Sequence, residues 1–222
     1  MTSELDPHNE MNTIIHHGLR RDLDRAARVL ARPVTDAQRA SLCRHITWML
    51  DYLHRHHVGE DEGVWPRTLA KRPDLRELVD EMEAEHEALA AASDQVRAAS
   101  DAFARDGSEE GRRELAEAVA HMQATTLPHL DHEEQVAMPL VLETLDDTDW
   151  DYLEKNHFRK GVGLADLGPM GMWLLDDLNA AHAAVIRAQF PRPVLWFLTT
   201  RYGAVYDRDA AVRWGDLAGT RA

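Results

Sequence analysis

Apolar residues recur along this chain every three or four positions, which is the period of an amphipathic α-helix. Proline, glycine and capping residues divide the pattern into four long segments. These segments run from about Pro7 to Arg32, from the capping box at Thr35–Gln38 to the region before Pro66, from Asp74 to Arg105, and from Ser108 to Leu145. No stretch of convincing length shows the two-residue alternation of a strand, so the sequence predicts an all-α protein.

The pattern changes after residue 148. Shorter helical stretches are predicted around Trp150–Arg159, Met170–Phe190 and Val194–Tyr206, separated by glycines and prolines. Four of the six tryptophans lie in this part of the chain, and so many large apolar rings favour packing over exposure. We therefore expect an antiparallel up-down-up-down four-helix bundle over residues 1–145 and a helical extension over residues 146–222 that packs on it.

Six ionisable side chains occupy helix positions that should be apolar. The predicted core seams read His16, Leu19, Leu23, Ala26 and Leu30; Leu42, Ile46, Met49, Leu53, His56 and Glu60; Val79, Met82, His86, Leu89, Ser93 and Val96; and Leu115, Val119, Met122, Thr126, His129, Glu133, Val136 and Leu140. Burying imidazoles and carboxylates without partners is costly. A bound cation would compensate, because it keeps carboxylates ionised and imidazoles neutral.

Two of the seams share a repeated motif. His56-x-x-x-Glu60 begins ten residues before Pro66, and His129-x-x-x-Glu133 begins ten residues before Pro139. A four-residue step is about one helical turn, so both side chains of each pair lie on one face of the helix. Each pair also has a lone histidine upstream, His16 or His86, so the chain contains two half-sites of two histidines and one carboxylate.

Four imidazoles and two carboxylates are too many for one tetrahedral zinc ion and suit two first-row ions. We expect Glu60 and Glu133 to bridge two iron ions, with the four histidines as terminal ligands; manganese is the second choice. Coordination positions remain for an oxo or hydroxo bridge and for dioxygen, peroxide or nitric oxide. His17, His57 and Tyr52 are alternative or additional ligands. Asp61 and Glu134 are expected either to accept hydrogen bonds from the free ring N–H of ligand histidines or to be solvated charges.

Length, charge and cysteine content limit the class of protein to which this chain can belong. The chain has 222 residues, 44% of them hydrophobic, which is enough for one domain and an appendage with a substantial core. The net charge of −14 argues against nucleic acid and anionic membranes as partners. The single cysteine, Cys43, excludes an intramolecular disulfide and a thiolate cluster. No export signal or membrane-spanning run is seen, so we expect a cytoplasmic protein.

Several short motifs resemble the hemerythrin-like, or HHE cation-binding, family of four-helix bundles. The resemblance covers about residues 8–145 and rests on His16-x-x-Leu-Arg, His56-His57-x-x-Glu60-Asp61 with Trp65-Pro66, Glu85-His86, and His129-x-x-x-Glu133-Glu134 with Met138-Pro139. It implies a diiron site at His16, His56, Glu60, His86, His129 and Glu133. The chain departs from oxygen-carrying hemerythrins at Ala90 and Glu134, where those proteins have histidine and aspartate. The chain is more similar to the bacterial hemerythrin-like branch, which includes sensing, detoxifying and iron-handling proteins.

Two functions fit this site. The first is a non-haem diiron protein that binds or reduces a small oxidant. The second is a non-catalytic iron or oxygen sensor or interaction module, whose bundle the metal stabilises and whose protein partner the sequence does not reveal. We favour the first because open coordination positions follow from the ligand count, whereas a partner does not. Whether the protein turns over substrate as an enzyme, and its oligomeric state, are left open by the sequence.

Overall fold

The computed structural model describes residues 7–160, 162–188 and 190–219, and every regular element in these ranges is a helix. The α-helices are α1 (Pro7–Leu30), α2 (Asp36–Gly59), α3 (Trp65–Lys71), α4 (Arg76–Asp106), α5 (Glu109–His132), α6 (Met138–Thr144), α7 (Asp147–Leu153), α8 (Leu164–Leu174), α9 (Ala180–Ala188) and α10 (Arg192–Trp214). The all-α prediction is confirmed, and the four-helix topology stays a prediction. No helix in the described ranges is long and apolar enough to cross a membrane.

Shorter helical turns join several of these elements. Three are π-helical, at Glu60–Val64, Glu133–Ala137 and Glu154–Phe158, and two are 3₁₀ turns, at Pro73–Leu75 and Gly215–Leu217. The first two π turns begin at the glutamates of the repeated motif. π turns are rare and occur often at functional sites.

The predicted starts of α2 and α5 are confirmed by their caps. The backbone N–H of Gln38 donates to the hydroxyl of Thr35 at 3.2 Å. The hydroxyl of Ser108 accepts from the N–H of Gly111 at 2.9 Å. These side chains satisfy N–H groups that have no partner inside the helix, which fixes where each helix begins.

The four predicted segments leave residues 66–73 outside a helix as a short connection, but the structure has helix α3 there. Pro66 and Pro139 stand at the second positions of α3 and α6. A proline is tolerated in the first turn, where its missing N–H is not needed by the helix. In the preceding turns, Trp65 N–H donates to the carbonyl of Glu60 and Met138 N–H to that of Glu133, both five residues back. The π turn therefore carries the chain into a new helix without a loop.

The π turn at Glu133–Ala137 makes the end of the predicted core seam in the fourth segment wrong. Val136 is 42% exposed and Leu140 is half-buried, whereas their successors Ala137 and Val141 are buried. A π turn contains one residue more than an α turn, and one residue corresponds to a rotation of about 100°. The core face beyond Glu133 is therefore shifted by one position.

The chain divides into two compact units, one of residues 1–42 with 162–222 and one of residues 43–161. The domain boundary that the sequence places after residue 145, and the packing of residues 146–222 on a bundle, stay predictions. Each unit has its own buried contacts.

The unit of residues 43–161 contains α4 and α5, which pack against each other. Their contacts pair His86 with His129 and Ser93 with Met122, so the two helices run antiparallel. The buried apolar cluster beside the π turns contains Val64, Trp65, Val79, Met82, Ala137, Met138, Val141, Leu145, Trp150 and Leu153. Helix α7 thus adds Trp150 and Leu153 to a core formed by α3, α4, α6 and the two π turns that precede α3 and α6.

The other unit is held together by buried charges between α1 and the helices after residue 162. Asp22 accepts from Arg21 Nε at 2.7 Å and from Trp173 Nε1 at 2.8 Å. Asp176 accepts from Arg25 at 2.7 Å and from the hydroxyl of Tyr206 at 2.9 Å. All of these except Tyr206 are buried. Ionic contacts as well as apolar ones therefore fix this unit.

The prediction of one helix over Met170–Phe190 is wrong, because the structure has two helices with a turn between them. The structure ends α8 at Leu174 and begins α9 at Ala180. Asp177 between them has φ 53°, a left-handed conformation that aspartate tolerates better than most residues. Asp176 and Asp177 both contact Arg25 in this turn. The chain leaves the helical path where its carboxylates meet an arginine of α1.

Candidate metal centre

Three imidazoles from three helices meet in the unit of residues 43–161. One ring nitrogen from each of His57 (α2), His86 (α4) and His129 (α5) lies within 4.8 Å of the other two. The rings of His57 and His86 stack with centroids 4.1 Å apart, and His129 stands edge-on to His86 at 4.9 Å. All three side chains are buried. Only His86 and His129 belong to the set that the seams predict; His57 is one of the alternatives.

The Nε2 atoms of these three histidines are buried and make no hydrogen bond to any residue in the described ranges. Buried polar atoms in proteins are almost always satisfied, because an unmade hydrogen bond costs free energy. A cation that accepts the three lone pairs would remove this cost, so the donor set fits a metal ion.

The opposite ring nitrogens of two of these histidines are held by carboxylates. Nδ1 of His86 lies 2.7 Å from Oδ1 of Asp61, and Nδ1 of His129 lies 2.9 Å from Oε2 of Glu85. A carboxylate accepts, so Nδ1 carries the proton and Nε2 keeps its lone pair. Metal-binding histidines are usually oriented in this way. The expected role of Asp61 as an acceptor is confirmed.

Glu85 is a residue that the sequence did not single out for this role. Its second oxygen, Oε1, lies 2.8 Å from Nδ1 of His132, so one carboxylate bridges two histidines of α5. Glu85 stands directly before His86 in the chain, but its partners depend on how α4 packs against α5, which local sequence does not specify.

The motif glutamates lie beside the same imidazoles. Oε1 of Glu60 is 3.1 Å from Nε2 of His56, and its Oε2 is 3.7 Å from Nε2 of His86. Oε2 of Glu133 is 3.5 Å from Nε2 of His129. Both carboxylates are buried. Each His-x-x-x-Glu pair thus shares one helix face.

Burial, reinforced by the nearby carboxyl of Glu133, raises the pKa of Glu60 well above its ordinary value. Burial also lowers the pKa of His57, with further lowering from His86 and His56. The pKa of His129 is lowered mainly by burial. Neutral imidazoles are the form that binds metals, and a nearby cation would restore the ionised form of Glu60.

The remaining candidates have different surroundings. His16 is buried on α1, in the other unit, and its part in a metal site stays a prediction. His17 lies 3.1 Å through its Nε2 from the backbone carbonyl of Asp177, which gives this nitrogen a structural partner. Tyr52 stacks on Trp48 with ring centroids 5.8 Å apart, and burial raises the pKa of its phenol. A role of Tyr52 as a ligand stays a prediction.

Replacing Asp61 tests the role of the carboxylate partners. Asp61→Ala is expected to weaken metal binding by about 10- to 100-fold, because Nδ1 of His86 loses its acceptor and the ring its fixed orientation. Glu62→Ala, at an exposed position of the same π turn, is the matched control. Titration of the metal-free variants with ferrous ion measures the change. Equal affinities for the two variants would contradict the role given to Asp61.

Buried imidazoles and carboxylates that lie close enough together to share an ion, in an all-α fold, are typical of a helical metal-binding protein. The family model described as hemerythrin HHE cation binding domain matches residues 13–141, more than half of the chain. The chain belongs to this family, as the sequence motifs predict. No curated protein and no solved structure matches it significantly.

Proposed function

We propose that this protein is a non-haem diiron protein that binds or reduces a small oxidant, either dioxygen, peroxide or nitric oxide. The single observation that carries the proposal is the cluster of His57, His86 and His129, whose buried Nε2 atoms lack hydrogen bonds within the described residues while carboxylates hold Nδ1 of two of them. Such a donor set accepts first-row metal ions.

The proposed ligands are His56, Glu60, His86, His129 and Glu133, with His16 from the sequence prediction. His57 joins them because one of its nitrogens lies within 4.8 Å of those of His86 and His129. The chain has Ala90 where oxygen-carrying relatives have a further histidine, and we infer that His57 supplies that imidazole. Nitrogen and carboxylate ligands favour iron or manganese over ions that prefer thiolates.

Bound iron would supply electrons and open coordination positions for the oxidant. The protein groups set the conditions for that chemistry. Asp61 and Glu85 keep the protons of His86 and His129 on Nδ1. Phe158 lies over Gly59, and its ring is 6.3 Å from that of His56, so an aromatic side chain shields this edge of the site from water. A shielded, apolar surrounding limits release of reactive products.

The proposal is tested by replacing one of the two proposed bridging carboxylates. Glu60→Ala is expected to reduce bound iron from two ions per chain and to lower peroxide consumption to the background rate, because it removes a bridging carboxylate. The control is Glu62→Ala, which alters an exposed carboxylate two residues away. Iron content is measured by elemental analysis and turnover from peroxide loss.

Background rates in the wild-type protein as well as in Glu60→Ala would defeat the oxidant-reducing function. If the wild type still binds nitric oxide or shows metal-dependent melting without turnover, the sensor or interaction function replaces it. If purified wild-type protein contains neither iron nor manganese after growth with both metals available, the proposed metal site is contradicted.

A further inference from the structure

The two copies of the repeated motif differ in the residue directly before the glutamate. His132 precedes Glu133, whereas Gly59 precedes Glu60. A Cβ atom at Gly59 would lie 2.5 Å from Cε1 of Phe158, so the packing of this unit favours glycine there. The histidine at this position therefore belongs to the second copy of the motif alone, and the proposed ligand set does not use it.

His132 shares a carboxylate with the proposed ligand His129. Oε1 of Glu85 lies 2.8 Å from Nδ1 of His132, and Oε2 lies 2.9 Å from Nδ1 of His129. The two histidines are three residues apart, so they lie on the same face of α5. Both oxygens of Glu85 thus accept from a ring N–H. Nε2 of His132 is 3.9 Å from Oε2 of Glu81, which is too far for a hydrogen bond.

Glu85 needs a second contact more than Asp61, the carboxylate that holds His86. The two side chains are exposed to a similar extent, 34% for Glu85 and 36% for Asp61, so water competes for both hydrogen bonds. Glutamate has one more rotatable bond than aspartate, so fixing it costs more conformational entropy. A carboxylate held through one oxygen can still turn about its last bond, whereas one held through both oxygens cannot.

We propose that His132 is a positioning residue. It holds the carboxylate of Glu85 in the orientation that accepts from Nδ1 of His129, and the lone pair on Nε2 of His129 is thereby kept free and fixed in direction. Only a donor at Nδ1 of His132 is needed, which that tautomer of the neutral ring and the protonated ring both supply. This role of His132 rests on the proposed function only for the metal that His129 would bind.

The first test uses the metal-free protein. Long-range proton–nitrogen NMR spectra report which ring nitrogen of His129 carries the proton. In the wild type the proton is expected on Nδ1, and in His132→Leu it is expected to be shared between Nδ1 and Nε2, because Glu85 is no longer held in place. His132→Asn is the conservative variant, since its amide nitrogen is attached to Cγ as Nδ1 is, and it should restore the wild-type form. His121→Leu, at an exposed position of α5, is the matched control.

The second test is titration of the metal-free variants with ferrous ion at constant pH. Glu85→Ala is expected to weaken binding by about 10- to 100-fold and His132→Leu by about tenfold, as for other groups that orient a ligand histidine. Because His132 acts through Glu85, the double variant is expected to bind no more weakly than Glu85→Ala alone. His132→Asn and His121→Leu should bind like the wild type.

Three results would each overturn the role given to His132. They are an unchanged position of the His129 proton in His132→Leu, the same loss in His132→Asn as in His132→Leu, and losses of affinity that add in the double variant. Failure of the proposed function looks different. A wild type that binds no iron, but in which the His129 proton follows the expected pattern across the variants, contradicts the metal function and supports the positioning role.

Discussion

Removal of the bound metal is expected to lower the free energy of unfolding by about 4 kcal/mol, if the free metal had been at a thousand times its dissociation constant. Without the ion, the lone pairs of His57, His86 and His129 stay buried without hydrogen bonds from the described residues. Unfolding exposes these groups to water, and the folded state loses the proposed ligand that would compensate their burial. The stabilisation depends on the proposed diiron function.

The fall in the free energy of unfolding on metal removal is also expected to depend on pH. The pKa of Glu60 is raised by burial in the metal-free folded state. Its contribution to metal-free stability is therefore fully present below the pKa of the unfolded chain and is lost as pH rises through the folded pKa. The metal must displace this proton, so metal binding, and the stability it adds, grow as pH rises. The histidines act in the same direction, because protons compete with the metal for them.

Thermal and urea unfolding, before and after chelation at two pH values, measure both effects. His86→Ala removes a proposed ligand and should make stability insensitive to the chelator. His54→Ala, at an exposed position of α2, should keep the sensitivity of the wild type. If chelation leaves the wild-type transition unchanged while iron is shown to depart, the metal does not stabilise the fold and this prediction fails.

The repeated motif shows what the sequence could predict about the site. A histidine and a glutamate four residues apart must share a helix face, and both pairs do. Their seam positions predict burial, and His56, Glu60, His129 and Glu133 are buried. This part of the site follows from helix periodicity alone.

Other features of the site depend on tertiary packing or on local departures from the α-helix. Glu85 contacts His129 and His132 only because α4 lies against α5. The π turn at Glu133–Ala137 shifts the buried face of the helix by one residue. A strict α-helical period therefore predicts that Val136 is in the core, although Val136 is exposed. Pro139 signals that some break is needed, but a proline cannot say whether a π turn, a kink or a loop provides it.

The C-terminal helices illustrate the same limit over a longer sequence distance. Residues 170–190 are predominantly apolar and helix-forming, yet the helix stops at Leu174. The turn that follows brings Asp176 to Arg25, 151 residues earlier in the chain. Local propensity carries no information about such a partner, so the sequence predicts helix content here but misplaces the boundary.

Asp22→Ala is expected to lower the free energy of unfolding by about 3–5 kcal/mol, the cost of removing one partner from a buried ion pair. The Asp22 carboxylate is fully buried and accepts from Arg21 Nε at 2.7 Å and Trp173 Nε1 at 2.8 Å. Alanine would leave a buried guanidinium without its nearest counter-charge and an indole N–H without its acceptor. The arginine cannot lose its charge to relieve this cost.

Urea denaturation of the variant and wild type measures the difference. Asp24→Ala is the matched control, since Asp24 lies two residues away on α1, is exposed and pairs with Arg28 at 3.4 Å; its expected cost is below about 1 kcal/mol. Asp22→Asn keeps one acceptor oxygen and should fall between the two. Because Asp22 is not a proposed metal ligand, iron bound by the folded variant should remain at the wild-type level. Equal stabilities of Asp22→Ala and Asp24→Ala would show that the buried charges of this unit are compensated by other means.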